Sequence, residues 1–439
     1  MTTLKARAIR IVERLREAGH EAYFAGGCVR DQLIGRVPQD YDIATSAPPE
    51  TVRRLFTRTV PVGMQFGVVL VLDEDAQFEV ATFRSDDVYV DGRRPRSVRF
   101  GSAEQDASRR DFTINALFLD PATDRIIDYT NGQADLSAGI VRAIGDASAR
   151  IAEDRLRMLR AVRFAARFGF RLDTATRDAV VAAAPTVADI AAERIGDEIV
   201  KILTEGHARR GFELLAETEL LPVVLPEVAA MAGVAQPLEH HPEGDVWEHT
   251  LILLDQLPQG VSETLALGAL LHDVGKPACA ALRGGRITFW GHPSIGAETA
   301  TEICKRLRRS RVTWEQVAYL VRHHLRLVQA PHMRVSTLKR MLTEDGFDEL
   351  LRLSRLDALA SNGDLRFVLF CESKRSEFAS EELHPKPLLR GRDLITLGHR
   401  PGPRIGEILA ALEEAQLEGT ICSRQDALGF VRTHFPSGD

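Results

Sequence analysis

The run GGCVRDQLIGRVPQDYDIAT, residues 26–45, constrains the fold more than any other part of this 439-residue chain. Gly26-Gly27 follows a short strand candidate, Ala22–Ala25, and a helix is expected from about Val29. Asp40–Thr45 reads as the next strand. Residues two apart in a strand point to one face, so Asp40 and Asp42 are expected to aim two carboxylates at one spot. Like charges held that close favour a bound cation. Oxygen donors of this kind suit Mg²⁺, which keeps several waters and completes its shell with phosphates. The glycine pair at a helix start lets backbone N–H groups approach a triphosphate. Either half alone is weak, because DxD is commonly a surface turn and GG usually marks a bend; the spacing of the two carries the reading.

The rest of the chain defines what surrounds that run. Residues 1–145 alternate strand and helix candidates, with further strands at Gly67–Leu72, Phe78–Phe83 and Asp124–Asp128. From Ala149 onward Gly and Pro thin out and long helical patterns take over, the first at about 150–168. The expected fold is therefore α+β: a small mixed-sheet head (1–145), then an all-α neck (146–220), body (221–380) and tail (381–439). No run of some 18 uncharged apolar residues is present, so no membrane span is expected. Five scattered cysteines, never in CxxC spacing, fit a reducing cytoplasm and exclude a cysteine-built zinc site. A net charge of −6 does not exclude a nucleic-acid partner, since phosphate binding depends on where the cations sit. They are clustered: Arg93, Arg94, Arg96 and Arg99; a run of arginines from Arg150 to Arg171; and Lys305 to Arg311. A solvated helix face is the plainer reading of any one cluster.

At this spacing the run resembles the nucleotidyltransferase motif of the DNA polymerase β superfamily. GGCVRDQLIG…DYDIAT is similar to the form found in class II tRNA nucleotidyltransferases and bacterial poly(A) polymerases. Further segments resemble that family's motifs in order: EVATFR, the loop DGRRPRSVRFG (91–101), RRDFTINAL (109–117), DYTNGQADL…GIVRAIG, EDRLRMLRAVRFAARFGF (153–170) and ERIGDEIVKIL. The resemblance implies template-independent addition of nucleotides to the 3′ end of tRNA by two-metal transfer. Asp40 and Asp42 would be the catalytic metal ligands, and the place of a third carboxylate stays open, with Glu79 a candidate. Gly26, Gly27, Arg30, Arg110, Asp111 and Asn115 would contact triphosphate and ribose, Asn115 lying one helical turn beyond Asp111. Asp154 and Arg157, three apart on one expected helix face, would pair with the edges of CTP and ATP; Arg160 and Arg163 would continue that face toward phosphates. Arg155 stands where the family often has Pro, which leaves the start of that helix open.

A second constellation lies further on. Eight of the 13 histidines fall between His240 and His332. WEHT, LLHDVGKP, GHPSIGAE, VRHH and RLDALAS spread His and Asp over a helical region, a donor set suited to a divalent metal with a water left to attack phosphate. The order resembles the HD phosphohydrolase superfamily. There His249, His272, Asp273 and Asp357 would form the minimal metal set, and His292 with His323 (or its neighbour His324) would support a second ion.

These resemblances imply Mg²⁺ in the head, a second divalent metal of open identity in the body, ATP and CTP as substrates, and the acceptor arm of tRNA as partner. Adding the whole CCA or only its terminal A is equally compatible with the residues; the basic loop 91–101 counts against addition of CC alone. A poly(A) polymerase, or a chain acting chiefly as a metal-dependent phosphohydrolase, are the alternatives.

Overall fold

A computed structural model describes residues 3–86, 98–237, 244–378, 383 and 385–436. The loop 91–101 falls largely outside the described residues, as does most of PLEHHPEGD (237–245). The chain divides into two compact units, residues 1–229 with 257–260, and residues 230–256 with 261–439.

The first unit opens with helix α1 (Leu4–Glu17), capped by the Thr3 hydroxyl, which accepts from the Ala6 N–H. Its apolar residues Ala8, Ile11, Val12 and Leu15 recur at three- and four-residue spacing and are buried. Strand β1 (Ala22–Ala25), α2 (Gly27–Leu33), β2 (Ile43–Thr45), α3 (Pro49–Leu55), β3 (Thr59–Gly63), β4 (Val68–Asp73) and β5 (Ala76–Thr82) follow. A ribbon of β6 (Arg84–Asp86) and β7 (Val98–Phe100), then α4 (Ala103–Ser108), β8 (Phe118–Asp120), β9 (Arg125–Ile127) and α5 (Gly132–Ala138) complete the head. Seven strands form one mixed sheet in the order β3-β4-β5-β2-β1-β8-β9. Among the described residues its one parallel pair, β2 with β5, registers Ile43 against Val80, so Asp42 and Glu79 each stand one residue before a paired position. Phe24 and Phe78 are buried on one face of it, Phe83 and Phe118 on the other.

Strand β2 is shorter than the sequence pattern suggests. Asp40 and Asp42 lie on the segment entering it, and the ladder begins with the Asp42 carbonyl accepting from the Ala25 N–H at 3.0 Å. Strands β3 and β8 escaped the sequence reading because TVPVG carries a Pro and FLD is only three residues long.

After the short strand β10 (Ile140–Val141) come α6 (Ala147–Glu153), α7 (Arg157–Phe168), β11 (Arg171–Leu172), α8 (Thr174–Ala183), α9 (Ala192–Thr204), α10 (Ala208–Glu217), α11 (Leu221–Val224) and α12 (Pro226–Ala229). The expected single helix over 150–168 is two. Asp154 has extended backbone (φ −143°, ψ 102°), and its carboxylate accepts from the Leu156 N–H at 3.1 Å. This aspartate turn offers the backbone an alternative to continued helix, and α7 restarts at Arg157. Asp154 and Arg157 therefore flank a break and do not share one helix face.

The second unit holds α13 (Val246–Asp255), α14 (Glu263–Leu271), α15 (Lys276–Cys279), the hairpin β12–β13 (Ala281–Arg283 and Arg286–Thr288), α16 (His292–Arg306), α17 (Arg311–His323), α18 (Val335–Leu342), α19 (Phe347–Ala360) and α20 (Arg366–Glu377). Three further helices, 391–396, 403–417 and 424–434, pack around Leu394, Ile408, Leu412 and Val431. Among the described residues no helix is long and apolar enough to cross a membrane.

Candidate active site and metal centre

The first unit contains a cleft of about 1280 Å³. Gly26, Gly27, Arg30, Asp40, Asp42, Arg110, Asp111, Asn115, Asp154, Arg157, Arg160 and Arg163, drawn from stretches more than 130 residues apart in sequence, all line it. Backbone conformation favours glycine at position 26. Its φ of +69° is left-handed, and a Cβ there would stand 2.8 Å from a guanidinium nitrogen of Arg110.

Asp40, Asp42 and Glu79 share this cleft. Burial pushes the Asp42 carboxyl up to about 7, and the charges of Glu79 and Asp40 add to the rise against a smaller opposing effect of Arg110. A carboxylate so placed has a standing need for positive charge, which a divalent cation meets with hard oxygen donors. Glu79, left open from sequence, thus faces the same spot; the parallel register of β2 and β5 carries it there.

The cleft residues expected to meet a nucleotide divide into two groups. Arg110 is braced by Asp106, at 3.0 Å, and by the Asn115 carbonyl. Asp111 accepts from Asn115 Nδ2 at 3.0 Å and from Arg160 at 2.6 and 2.8 Å. Burial alone would raise the Asp111 carboxyl, yet the Arg160 charge and these hydrogen bonds hold it down at about 2. Asn115 does face Asp111 as expected, although residues 113–115 form a 3₁₀ turn rather than α-helix. Arg30, expected to meet a phosphate, is instead a strut: its guanidinium donates to Asp31 and Asn115 and lies over Phe168, 4.5 Å from the ring centroid. Arg163 is likewise engaged, by Glu198 at 2.7 Å and Glu205 at 3.0 Å, and Arg160 by Asp111. All three remain on the cleft wall, but their donors meet protein carboxylates or amides.

At the break between α6 and α7, Glu153 accepts from Arg150 and from Arg157 at 2.6 Å. Asp154 is gripped by both terminal nitrogens of Arg194, at 3.0 and 3.2 Å. Sequence reasoning missed Arg194, though it lies in the ERIG motif that was singled out; nothing in the spacing relates residue 194 to residue 154.

In the second unit, two trios of donors gather. His249, His272 and Asp357 lie with one ligand atom each within 4.8 Å of the others, and so do Asp273, His292 and His324. Asp273 joins them, its Oδ2 3.3 Å from His272 Nε2 and its Oδ1 3.4 Å from His292 Nε2. The sixth place in this donor cluster is taken by His324 and not by His323. His323 is the last residue of α17 and lies tilted against Tyr319, ring centroids 4.8 Å apart, whereas His324 caps the helix and turns into the cluster. Neighbours on a helix point about 100° apart, so only one of the two can face inward.

The donor set fits cations on its own chemistry. His272, His292 and His324 each set Nδ1 against the carbonyl three residues back, at 2.7–2.9 Å. That bond holds the proton on Nδ1 and aims a bare Nε2 lone pair inward. Burial lowers the His324 pKa to about 4, keeping it neutral at pH 7. The Nε2 atoms of His249 and His272 stand 3.2 Å apart, those of His292 and His324 3.3 Å, and buried Asp273 Oδ1 lacks a hydrogen-bond partner. The two bare Nε2 atoms of His292 and His324 repel unless a cation lies between them; ligands about 2.1 Å from one ion sit roughly 3.0–3.4 Å apart. Lys276, the K of HDVGK, was overlooked: its buried ammonium reaches Asp273 Oδ2 and Gln236 Oε1, each at 2.5 Å. Gly275 permits the packing, since a Cβ there would come within 2.3 Å of the His292 carbonyl.

Family models match three stretches: a poly A polymerase head domain at residues 22–142, a probable RNA and SrmB-binding site of polymerase A at 169–231, and an HD domain at 239–361. A CCA-adding enzyme of Lactiplantibacillus plantarum is 34% identical over 430 residues, covering 95% of this chain and 93% of its own. One from Streptococcus pneumoniae is 33% identical over 96% of this chain and 95% of its own. The crystal structure of the Bacillus stearothermophilus CCA-adding enzyme in complex with CTP matches at a TM-score of 0.77 and 29% identity over 99% of both chains.

Proposed function

The chain belongs to the family of CCA-adding enzymes, and on that premise we propose that it builds the CCA end of tRNA from CTP and ATP without a nucleic-acid template. The observation that carries this is the crowded carboxylate trio of Asp40, Asp42 and Glu79 in a cleft that also presents Asp154 and Arg157. In the transfer, the 3′-hydroxyl oxygen of the RNA attacks the α-phosphorus of the incoming nucleotide. The bond from that phosphorus to the bridging oxygen breaks, and pyrophosphate departs with the charge. Mg²⁺ held by Asp40 and Asp42 would make the hydroxyl a better nucleophile and neutralise the pyrophosphate. Gly26-Gly27 admits the triphosphate to the N–H groups opening α2, Arg110 faces its charge, and Asp154 with Arg157 offers an acceptor and donors to the base edge. Arg160 keeps Asp111 ionised, and Arg30 and Arg163 brace the wall.

We read the chain as head (1–145), neck (146–220), body (221–380) and tail (381–439), with base choice in the neck. The acceptor arm would be gripped through phosphates and 2′-hydroxyls, so binding should weaken with salt. Five free cysteines and a tRNA substrate favour a reducing cytoplasm. The body's six-donor cluster supports a second activity, metal-dependent phosphoester hydrolysis. The test is incubation with tRNA ending before CCA, after C and after CC, each with labelled CTP or ATP. Extension of all three substrates is expected; extension only after CC would reduce the function to terminal-A addition. The double variant Asp40→Ala, Asp42→Ala should lose all incorporation and keep hydrolysis, and His272→Ala, Asp273→Ala should do the reverse.

A further inference from the structure

The donor cluster of the body opens on one side into a cavity of about 690 Å³, within the roughly 300–1,000 Å³ that holds a small organic ligand. Asp273, Lys276, His292, His324 and Asp357 contribute its polar wall; Phe289, Trp290, Leu325, Val328 and Phe367 contribute an apolar one. A centre that needed only to grip inorganic phosphate would have no use for that second wall.

Trp290 is the distinctive part of it. At 76% exposure it is the most exposed aromatic side chain among the described residues. Leu325 and Val328, 45% and 46% exposed, line the same cavity, and a cluster of exposed apolar side chains marks a binding surface where one alone would not. The local chain holds the ring close to the cluster. Gly284 and Gly285, with φ of +57° and +79°, make the tight turn of the β12–β13 hairpin. Two residues beyond the hairpin comes Trp290; Gly291, at φ +82°, then turns the chain into α16, whose first residue is His292. The Phe289 carbonyl that accepts from His292 Nδ1 belongs to the same segment. Platform and metal ligand are thus tied within four residues. The Arg283 guanidinium lies over the Trp290 ring, 5.9 Å from its centroid, and the exposed remainder of the ring is left for a second flat partner.

We propose that Trp290 is a base-stacking platform that makes the body's centre selective for phosphoesters carrying a nucleobase. The proposal rests on the reading of this centre as a phosphohydrolase. The base lies against Trp290 along the apolar wall, which brings the sugar phosphate to the polar wall. There water oxygen bonds to phosphorus, the phosphorus–oxygen bond to the sugar breaks, and the departing sugar oxygen takes the proton that water gives up. Stacking tolerates any base, because every base has a π face.

The test uses the full chain with added Mn²⁺ and two probes, adenosine 3′-monophosphate and glycerol 2-phosphate, which has no base. Trp290→Ala should raise KM for the nucleotide about tenfold, leave its kcat near wild type and leave glycerol 2-phosphate unaffected; Trp290→Phe should restore most of the loss. Without turnover, the nucleotide should quench tryptophan fluorescence in the wild type and not in Trp290→Phe, where Trp247 and Trp314 remain. Equal loss on both esters, or no change in KM and no quench, would overturn the platform. Should neither ester be hydrolysed while the Trp290-dependent quench persists, the phosphohydrolase reading fails and the base site stands.

Discussion

Replacing Arg194 by Ala tests the proposal that the neck chooses the base through Asp154. Asp154 lies at a helix break, where its backbone alone does not fix the carboxylate, and Arg194 holds both oxygens at 3.0 and 3.2 Å. Hydrogen bonds to charged groups contribute about 1.5–3 kcal/mol when buried. Here the side chains are 24% and 20% exposed, and solvent screening reduces that. About 1–2 kcal/mol remains, or roughly a five- to thirtyfold loss of kcat/KM for correct nucleotides. The loss should fall on CTP and ATP alike, since both set an exocyclic amino donor beside an unprotonated ring nitrogen, and GTP or UTP, whose ring nitrogen there carries hydrogen, should gain relative to them. Arg194→Lys should recover part of the effect, because an ammonium keeps the charge but not the two-pronged grip. Single-turnover incorporation of each of the four nucleotides onto tRNA ending before CCA, and onto tRNA ending in CC, measures this. An Arg194→Ala enzyme unchanged toward CTP and ATP, or impaired equally with all four, would show that Arg194 does not orient Asp154 for reading.

Two other outcomes are expected. The Asp111 carboxyl is held at about 2, below its ordinary value, so its stabilising contribution is complete above about pH 4 and is lost as the pH falls through about 2. Asp111→Asn should therefore cost about 2 kcal/mol at pH 7 and flatten the loss of stability between about pH 4 and 2, read by urea unfolding at each pH; an unaltered acid limb would refute the pairing with Arg160. His324→Ala should lower the divalent metal retained after gel filtration and leave His323→Ala at the wild-type level, by elemental analysis. Equal retention by both variants would mean that the trio with Asp273 and His292 holds no ion.

Short-range order was legible in the residues themselves. The bend at Gly26, the helix after it, the change to helix beyond residue 145 and the DxD pair are written in local pattern, because backbone sterics and burial periodicity act over a few residues. The order of motifs likewise brought the HD histidines into view before any contact was known. What local pattern cannot express is which charge meets which. Glu79 joins Asp42 only through a parallel register with residues 37 positions away in sequence, and Arg194 reaches Asp154 from another helix. Arg30 and Arg163 look from sequence like phosphate ligands, since a guanidinium has the same chemistry whether its partner is a carboxylate or a phosphate. Only the packing of α7 against α9 supplies Glu198 and Glu205 and assigns Arg163 to them. The choice between His323 and His324 is of the same kind: adjacent identical residues are equivalent in sequence, and the rotation of one helix separates them.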